Sequence, residues 1–252
     1  LKLMNRAHSA KEAIASLSVA VRHFDNISID LIYGIPGMSN ARWKQNIEKA
    51  LSFGIPHISS YALTVEPKTA LASFIQKGIV PPVEDEVAQK HFTILLDEME
   101  KVGFESYEIS NFGKPGYFSK NNTAYWQQKK YIGIGPSAHS FDGKRRGWNI
   151  NNNPKYIKSL ESDELPMEME VLSKKDRYNE YVMTSLRTVW GVSLEKVSSE
   201  FGAQYLEYLK KQAAKFLDEH LLYIDGDKLL ATKKGRFLAD GISAELFMLN
   251  LG

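Results

Sequence analysis

The sequence predicts an α/β protein, a parallel β/α layer followed by a smaller, mostly helical unit, and three observations carry that prediction. Residues 1–110 read as helix, strand-helix, strand-helix, strand, the alternation that builds a parallel sheet covered by helices. Residues 27–37, ISIDLIYGIPG, are apolar and β-branched and then break sharply at Gly34, Pro36 and Gly37 into a helical pattern, which is the punctuation of a β-turn-α unit. Beyond residue 172 the order becomes helix, short helix, helix, hairpin, helix, a winged-helix-like succession.

Composition bounds the rest. The chain has 252 residues, 43% of them hydrophobic, enough to bury a sizeable core in one large domain or two smaller ones. Thirty-two basic against 30 acidic residues leave a net charge of +2, which gives no general pull toward nucleic acid or membrane. There is no cysteine. Disulfides, thiolate metal sites and cysteine nucleophiles are therefore excluded within these residues. No apolar run approaches the ~18 residues of a membrane span, and the start does not read as a signal peptide, so a cytoplasmic protein is expected. The chain opens in mid-pattern with Leu-Lys-Leu-Met-Asn-Arg, and a piece of something longer is expected.

Taken in order, Ser9 with Glu12 forms a capping box ahead of a helix carrying Ala13, Ile14, Leu17, Ala20, Val21 and Phe24 on one face. The strand in 27–37 reads as buried on both faces. A helix over 41–53 follows, stopped by Gly54, then a second buried strand, IPHISSYAL at 55–63, with a polar loop at its carboxyl end. A long amphipathic helix runs over 84–102, and 104–109 reads as a third strand. Residues 111–131 are rich in Gly, Asn, Lys and aromatics without a clean period, the mark of a functional or disordered loop. YIGIG at 131–135 reads as a short strand, Asp142-Gly143 as a hairpin turn with its return strand over 146–150, and Asn153-Pro154 as the start of a short helix. The expected organisation is a domain over 1–160, an acidic, Met-rich linker over 161–172, and a second domain over 173–252 with a hairpin around Asp225-Gly226-Asp227 and a last helix capped by Thr232.

Candidate site residues gather at expected strand ends. Asp30 interrupts an apolar strand, and a buried acid costs several kcal/mol unless paired or bonded. On the strand alone a structural acid and a ligand-binding acid are equally good readings. Arg6, taken alone, reads as a helix-entry arginine with a surface acid for a partner. His139, taken alone, reads as a satisfied core histidine. Ala62 ends the second strand. No histidine pair has metal-ligand spacing, so no metal site is expected. YIGIGPSA does not complete GxGxxG, since Ala138 stands where the last glycine would be; its glycines read as a close approach to a ligand or as a tight bend. The aromatics around Tyr125 and Trp126 either stack on a flat ring or pin the loop to the domain. The helices over 193–220 hold Lys196, Lys210, Lys211 and Lys215 against five acids, unlike a DNA-reading surface, so no nucleic-acid partner is expected.

Six ordered motifs, MNRAHSAKEA, IDLIYGIPG, ISSYALTVEP, SYEISNF, NNTAYW and YIGIGPSAHSF, resemble the oxygen-independent coproporphyrinogen III oxidase family of radical S-adenosylmethionine (SAM) proteins, most closely its haem-chaperone branch. TKKGRFLADGI in the second unit resembles the closing helix of that family's C-terminal domain. The resemblance implies the carboxyl-terminal part of an incomplete β/α barrel followed by the family's helical domain. It implies SAM and a [4Fe–4S] cluster in the full-length protein, with the cluster held by three cysteines of a CxxxCxxC loop. It adds haem as a further ligand, with haem or a porphyrinogen and a haem-acceptor protein as partners. The cluster loop lies in the family's N-terminal segment, so these cysteine-free residues are expected to be inactive alone. Carried over by motif, Arg6, Asp30, Ala62 and His139 fall where the oxidase branch contacts SAM. That branch has no histidine at the His139 position, which points to a backbone or packing contact there. The implied function is haem binding and delivery. The alternatives are oxidative decarboxylation of coproporphyrinogen III to protoporphyrinogen IX, and a non-catalytic winged-helix binding module. The chaperone branch usually reads HNxxYW where this chain has Asn121-Asn122-Thr123-Ala124-Tyr125-Trp126. Asparagine is no axial iron ligand, so the departure puts haem ligation at Asn121 in doubt.

Overall fold

A computed structural model describes residues 6–249, and the chain divides into two compact units, Leu1–Ser119 and Lys120–Gly252. Met4 and Asn5 of the first motif lie outside the described residues. Both units are α/β, and no helix among the described residues is long and apolar enough to cross a membrane.

The first unit begins with α1 (Ala10–Ala20), entered through the expected capping box: the Ser9 amide donates to Glu12 Oε2 at 2.7 Å, and the Glu12 amide donates back to Ser9 Oγ. Its apolar face is left largely open; no residue of α1 is buried. There follow β1 (Ser28–Tyr33), α2 (Asn40–Leu51), β2 (His57–Ala62), α3 (Ala70–Gln76), α4 (Asp85–Lys101), β3 (Glu105–Ser106) and β4 (Asn111–Gly113). The sheet order is β1-β2-β4-β3. β1 and β2 are parallel, Ser28 opposite His57 through Tyr33 opposite Ala62, as a β-α-β connection requires. The third strand departs from expectation. Only Glu105–Ser106 is extended; the chain then reverses, and β4 pairs antiparallel with both β2 and β3. The sheet is therefore mixed rather than parallel, and NFG, read as the start of a loop, supplies a central strand.

β1 is also not buried on both faces. It has one neighbour in this sheet among the described residues, and its exposure alternates over Ser28–Leu31, with Asp30 exposed; Tyr33 at its end is buried. Tyr33 packs against Trp43 of α2 and Phe92 of α4. Together with Ile47, Ile58, Leu95, Met99 and Phe112 these residues form the core between helices and sheet.

The second unit opens with α5 (Lys120–Trp126) inside the segment expected to be a loop. β5 (His139–Phe141) and β6 (Arg145–Asn149) form the hairpin around Asp142-Gly143, where Asp142 Oδ1 accepts the amides of Lys144 and Arg145. Residues 131–135 are not a strand: Tyr131 alone bridges to Phe141, while Ile132 and Ile134 stand in solvent. After α6 (Asn153–Glu161), capped by Asn152, comes β7 (Met167–Val171), paired antiparallel with β6. The stretch expected as a linker thus carries a strand, and its alternating Met-Glu-Met-Glu-Val is the period-2 pattern of one. The chain continues with α7 (Lys174–Leu186), β8 (Val192–Ser193), α8 (Leu194–Lys196) running into a π-turn at Val197–Phe201, α9 (Ala203–Asp218), β9 (Leu222–Asp225), β10 (Lys228–Ala231), α10 (Lys233–Arg236) and α11 (Ala239–Glu245). A second three-stranded sheet has the order β8-β10-β9, and Tyr178, Val182, Leu186, Phe201, Leu209, Leu229, Ile242 and Leu246 fill the core around it.

Candidate functional site

The two faces of the first sheet have opposite characters. Successive strand residues point to opposite sides. Ile29, Leu31 and Tyr33 share the face covered by α2 and α4. Ser28 and Asp30 share the other face, with His57 and Ser59 beside them in register. That second face is polar and bonded. Ser28 Oγ lies 2.6 Å from His57 Nδ1, and His57 Nε2 lies 2.8 Å from the Tyr107 hydroxyl, which also accepts the Ser119 amide at 3.1 Å. Ser59 Oγ donates to Asn111 Oδ1 at 2.8 Å; Asn111 Nδ2 and the Ser110 amide donate to the buried Glu108 carboxylate. Burial lowers the His57 pKa, against an opposing pull from the Asp30 carboxylate. Burial raises the Tyr107 phenol to about 12.

Asp30, like Ser28, is exposed on this face. Its register partner is Ser59, three residues short of the sheet's carboxyl edge, about 10 Å at the ~3.3 Å rise of a strand. Ala62 is at the edge itself, opposite Tyr33, and exposed. The Leu63 amide donates to the Tyr33 carbonyl at 2.9 Å, so the turn after β1 and the loop after β2 leave from the same edge. By strand alternation Ala62 and Asp30 point to opposite faces, so Ala62 offers its backbone there. Arg6 is exposed in the segment ahead of Ser9. His139 is exposed at the start of β5, in the second unit, its ring 6.3 Å from that of its register partner Trp148. The sheet thus brings Asp30, Ala62 and the 34–38 turn onto one strand pair; Arg6 lies outside that pair, and His139 belongs to the other unit.

The glycines of YIGIG have a local explanation. Asn149 Nδ2 donates to the carbonyls of Gly133 and Gly135, and the Gly133 amide donates to Ser140 Oγ at 2.9 Å. A Cβ at Gly133 would fall 2.1 Å from the His139 carbonyl oxygen. The close approach is to the chain's own strand. Near α5 a cavity of about 250 Å³ is lined by Tyr125, Trp126, Tyr131, Phe141, Arg146 and Met183, among others. Tyr125 and Tyr131 meet edge to face at 4.7 Å, and the Arg187 guanidinium lies 5.2 Å from the Trp126 ring centre. Asn121 is exposed at the start of that helix. Among the described residues no group of three or more acidic or histidine side chains is placed to hold a metal ion.

Sequence reasoning missed two bonded chains, one through His57 and Tyr107 and one through Ser59 and Asn111. The signal was present: His57 and Ser59 are polar at alternate positions of an apolar strand, the same two-residue period as Ser28 and Asp30.

Comparison with known proteins gives these elements a lineage. Residues 172–238 match the HemN C-terminal domain family. The chain is 32% identical to the heme chaperone HemW of Lactococcus lactis over 99% of its own length and 66% of that protein's. It is 32% identical to HemW of Bacillus subtilis over 96% and 64%. It is 29% identical to the mitochondrial radical S-adenosyl methionine domain-containing protein 1 of mouse over 96% and 58%. The structure of Escherichia coli coproporphyrinogen III oxidase (HemN), a radical SAM enzyme, superposes with a TM-score of 0.76 over 98% of this chain and 61% of that one; at 17% identity it speaks for the fold. The fold is thus that of the HemN-like radical SAM proteins. The chain is a homologue of the HemW heme chaperones over nearly its whole length, and its residues 172–238 carry the HemN C-terminal domain. It spans just under two thirds of the length of these curated relatives.

Proposed function

We propose that this chain serves in a HemW-like radical SAM protein that binds SAM and haem and hands haem on to an acceptor protein in the cytoplasm. The observation that carries the reading is the 32% identity to heme chaperones over nearly the whole chain. In this reading residues 1–160 are the later part of a partial β/α barrel and residues 173–252 the family's winged-helix-like domain. The three-stranded β8-β10-β9 sheet, with α7 and α9 contributing to its core, supports the latter.

The residues present fit one of the two implied cofactors. With no cysteine, these residues offer no thiolate for a [4Fe–4S] cluster. SAM fits better. Asp30 is an exposed carboxylate on a polar face, able to accept hydrogen bonds from ribose hydroxyls or an ammonium group. Ala62 and the 34–38 turn would offer backbone at the neighbouring edge, and Arg6 a guanidinium for a carboxylate. When bound at a reduced cluster, SAM supplies one-electron chemistry; these residues would orient it. For haem, the aromatic cavity beside α5 suits the edge of a conjugated ring; Arg146 at its wall is ion-paired with Glu170 and Glu180. Asn121 supplies no imidazole, so iron ligation would come from elsewhere.

Haem titration followed by absorption spectroscopy tests the reading, with the wild type compared to Trp126→Ala and Asn121→His. A saturable Soret shift that Trp126→Ala weakens is the expected result, and Asn121→His should alter the ligand-field bands. Formation of protoporphyrinogen IX without retained haem would favour the oxidase reading instead.

A further inference from the structure

The turn at residues 34–38 is held from one side by α4. His91 is fully buried in that helix, and its Nδ1 accepts the Gly34 amide at 3.2 Å. One turn earlier Ala88 faces the same glycine: a Cβ added at Gly34 would lie 3.1 Å from the Ala88 Cβ, and Gly34 has φ +71°, where only glycine sits without strain. The imidazole is itself fixed. Its backbone carbonyl accepts the Trp43 indole N–H at 2.8 Å, and the two rings lie 5.9 Å apart.

The chemistry of the contact decides the state of the ring. An amide N–H can point at Nδ1 only if Nδ1 carries a lone pair, so the proton of the neutral ring is on Nε2. Nε2 is buried and makes no hydrogen bond of normal geometry. Burial keeps the His91 pKa low, against an opposing backbone interaction from Met38, at the far end of the same turn.

We propose that His91 is the positioning residue of this turn: a neutral, Nε2-protonated imidazole that accepts the Gly34 amide and so fixes the course of residues 34–38 at the carboxyl end of β1. The functional weight of that placement rests on the reading of this edge as the SAM-binding edge; the clamp itself does not.

Amide hydrogen exchange read by mass spectrometry on the full chain tests it, comparing the peptide over 34–38 with the peptide over 57–62. His91→Leu removes the acceptor and should speed exchange over 34–38 at least tenfold while leaving 57–62 unchanged. His91→Asn restores an acceptor near the Nδ1 position and should recover most of the protection. Full protection in His91→Leu would overturn the proposal, as would equal loss in both variants. If His91→Leu does not fold, the Asn variant and the nitrogen-15 histidine spectrum of the wild type decide. A neutral ring with Nδ1 unprotonated is expected, and an Nδ1–H or charged ring at neutral pH would overturn it. Failure of the SAM reading looks different: SAM affinity of the cluster-bearing protein would ignore both Asp30→Ala and His91→Leu while the exchange pattern held.

Discussion

Asp30 and Ser59 occupy one register position across the parallel β1–β2 pair, yet Asp30 is exposed and Ser59 buried. The difference comes from strand order: β2 lies between β1 and β4, whereas β1 has a neighbour on one side in this sheet among the described residues. Ser59 therefore donates to Asn111, while Asp30 faces an open side.

These two positions should respond oppositely to truncation. Asp30→Ala removes an exposed charge and should change the chain's unfolding free energy by no more than about 0.5 kcal/mol. Ser59→Ala leaves the buried Asn111 carbonyl short of a donor and should cost about 1–3 kcal/mol. Urea denaturation of both variants checks this. In the cluster-bearing protein the order reverses for ligand: Asp30→Ala should weaken SAM binding by about 1–3 kcal/mol, read by equilibrium dialysis.

Tyr107→Phe tests the other bonded chain. The hydroxyl serves both His57 Nε2 and the Ser119 amide, so its removal strands two polar groups at once. A loss of about 1–3 kcal/mol is expected, although the ring and its stacking on Phe118 at 4.4 Å are retained. An unchanged denaturation midpoint would mean that water replaces the hydroxyl.

Acid should weaken the first unit through its histidines. Burial depresses the pKa of both His57 and His91 below the ordinary 6.5, so the unfolded chain takes up protons before the folded one does. Their contribution is complete above pH 6.5 and is lost as pH falls from there toward the folded values. Between roughly pH 5 and 6.5 few carboxylates titrate, so the slope in that window reports histidine. His91→Asn should flatten it; an unchanged slope would show that His91 is as easily protonated folded as unfolded.

Local chemistry was legible in the sequence where a short motif settles a short structure. Ser9 with Glu12 and Asp142-Gly143 act within a few residues, and the structure places both as read; Thr232 caps α10, but the single closing helix expected after it is broken into α10 and α11. What failed depended on distant partners. Apolar composition made 27–33 look buried on both sides, but burial is set by how many strands flank β1. NFG pairs with β2 because the chain reverses around Glu108, whose carboxylate holds Ser110 and Asn111. Of the candidate site, Asp30 and Ala62 fall on adjacent strands, but about 10 Å apart along them and facing opposite sides. The His57–Tyr107 link needs the fold, since 50 positions separate its members.

The TKKGRFLADGI motif holds two glycines that should behave in opposite ways. Gly235 lies in α10 under the carbonyl of Leu221: a Cβ there would sit 1.9 Å from that oxygen. The same carbonyl accepts the Thr232 amide at 2.9 Å, and Thr232 Oγ1 caps the helix by accepting the Gly235 amide at 3.1 Å. Gly235→Ala must push α10 off the end of α9 and loosen that cap, for a loss of about 1–3 kcal/mol. Gly241, in α11, has an ordinary helical backbone, and a Cβ added to it would meet nothing within 4 Å. There an alanine only narrows the unfolded ensemble, and Gly241→Ala should stabilise by about 0.5–1 kcal/mol. Thermal denaturation of the two single variants reads both signs, and a destabilising Gly241→Ala would show that this face of α11 is packed rather than open.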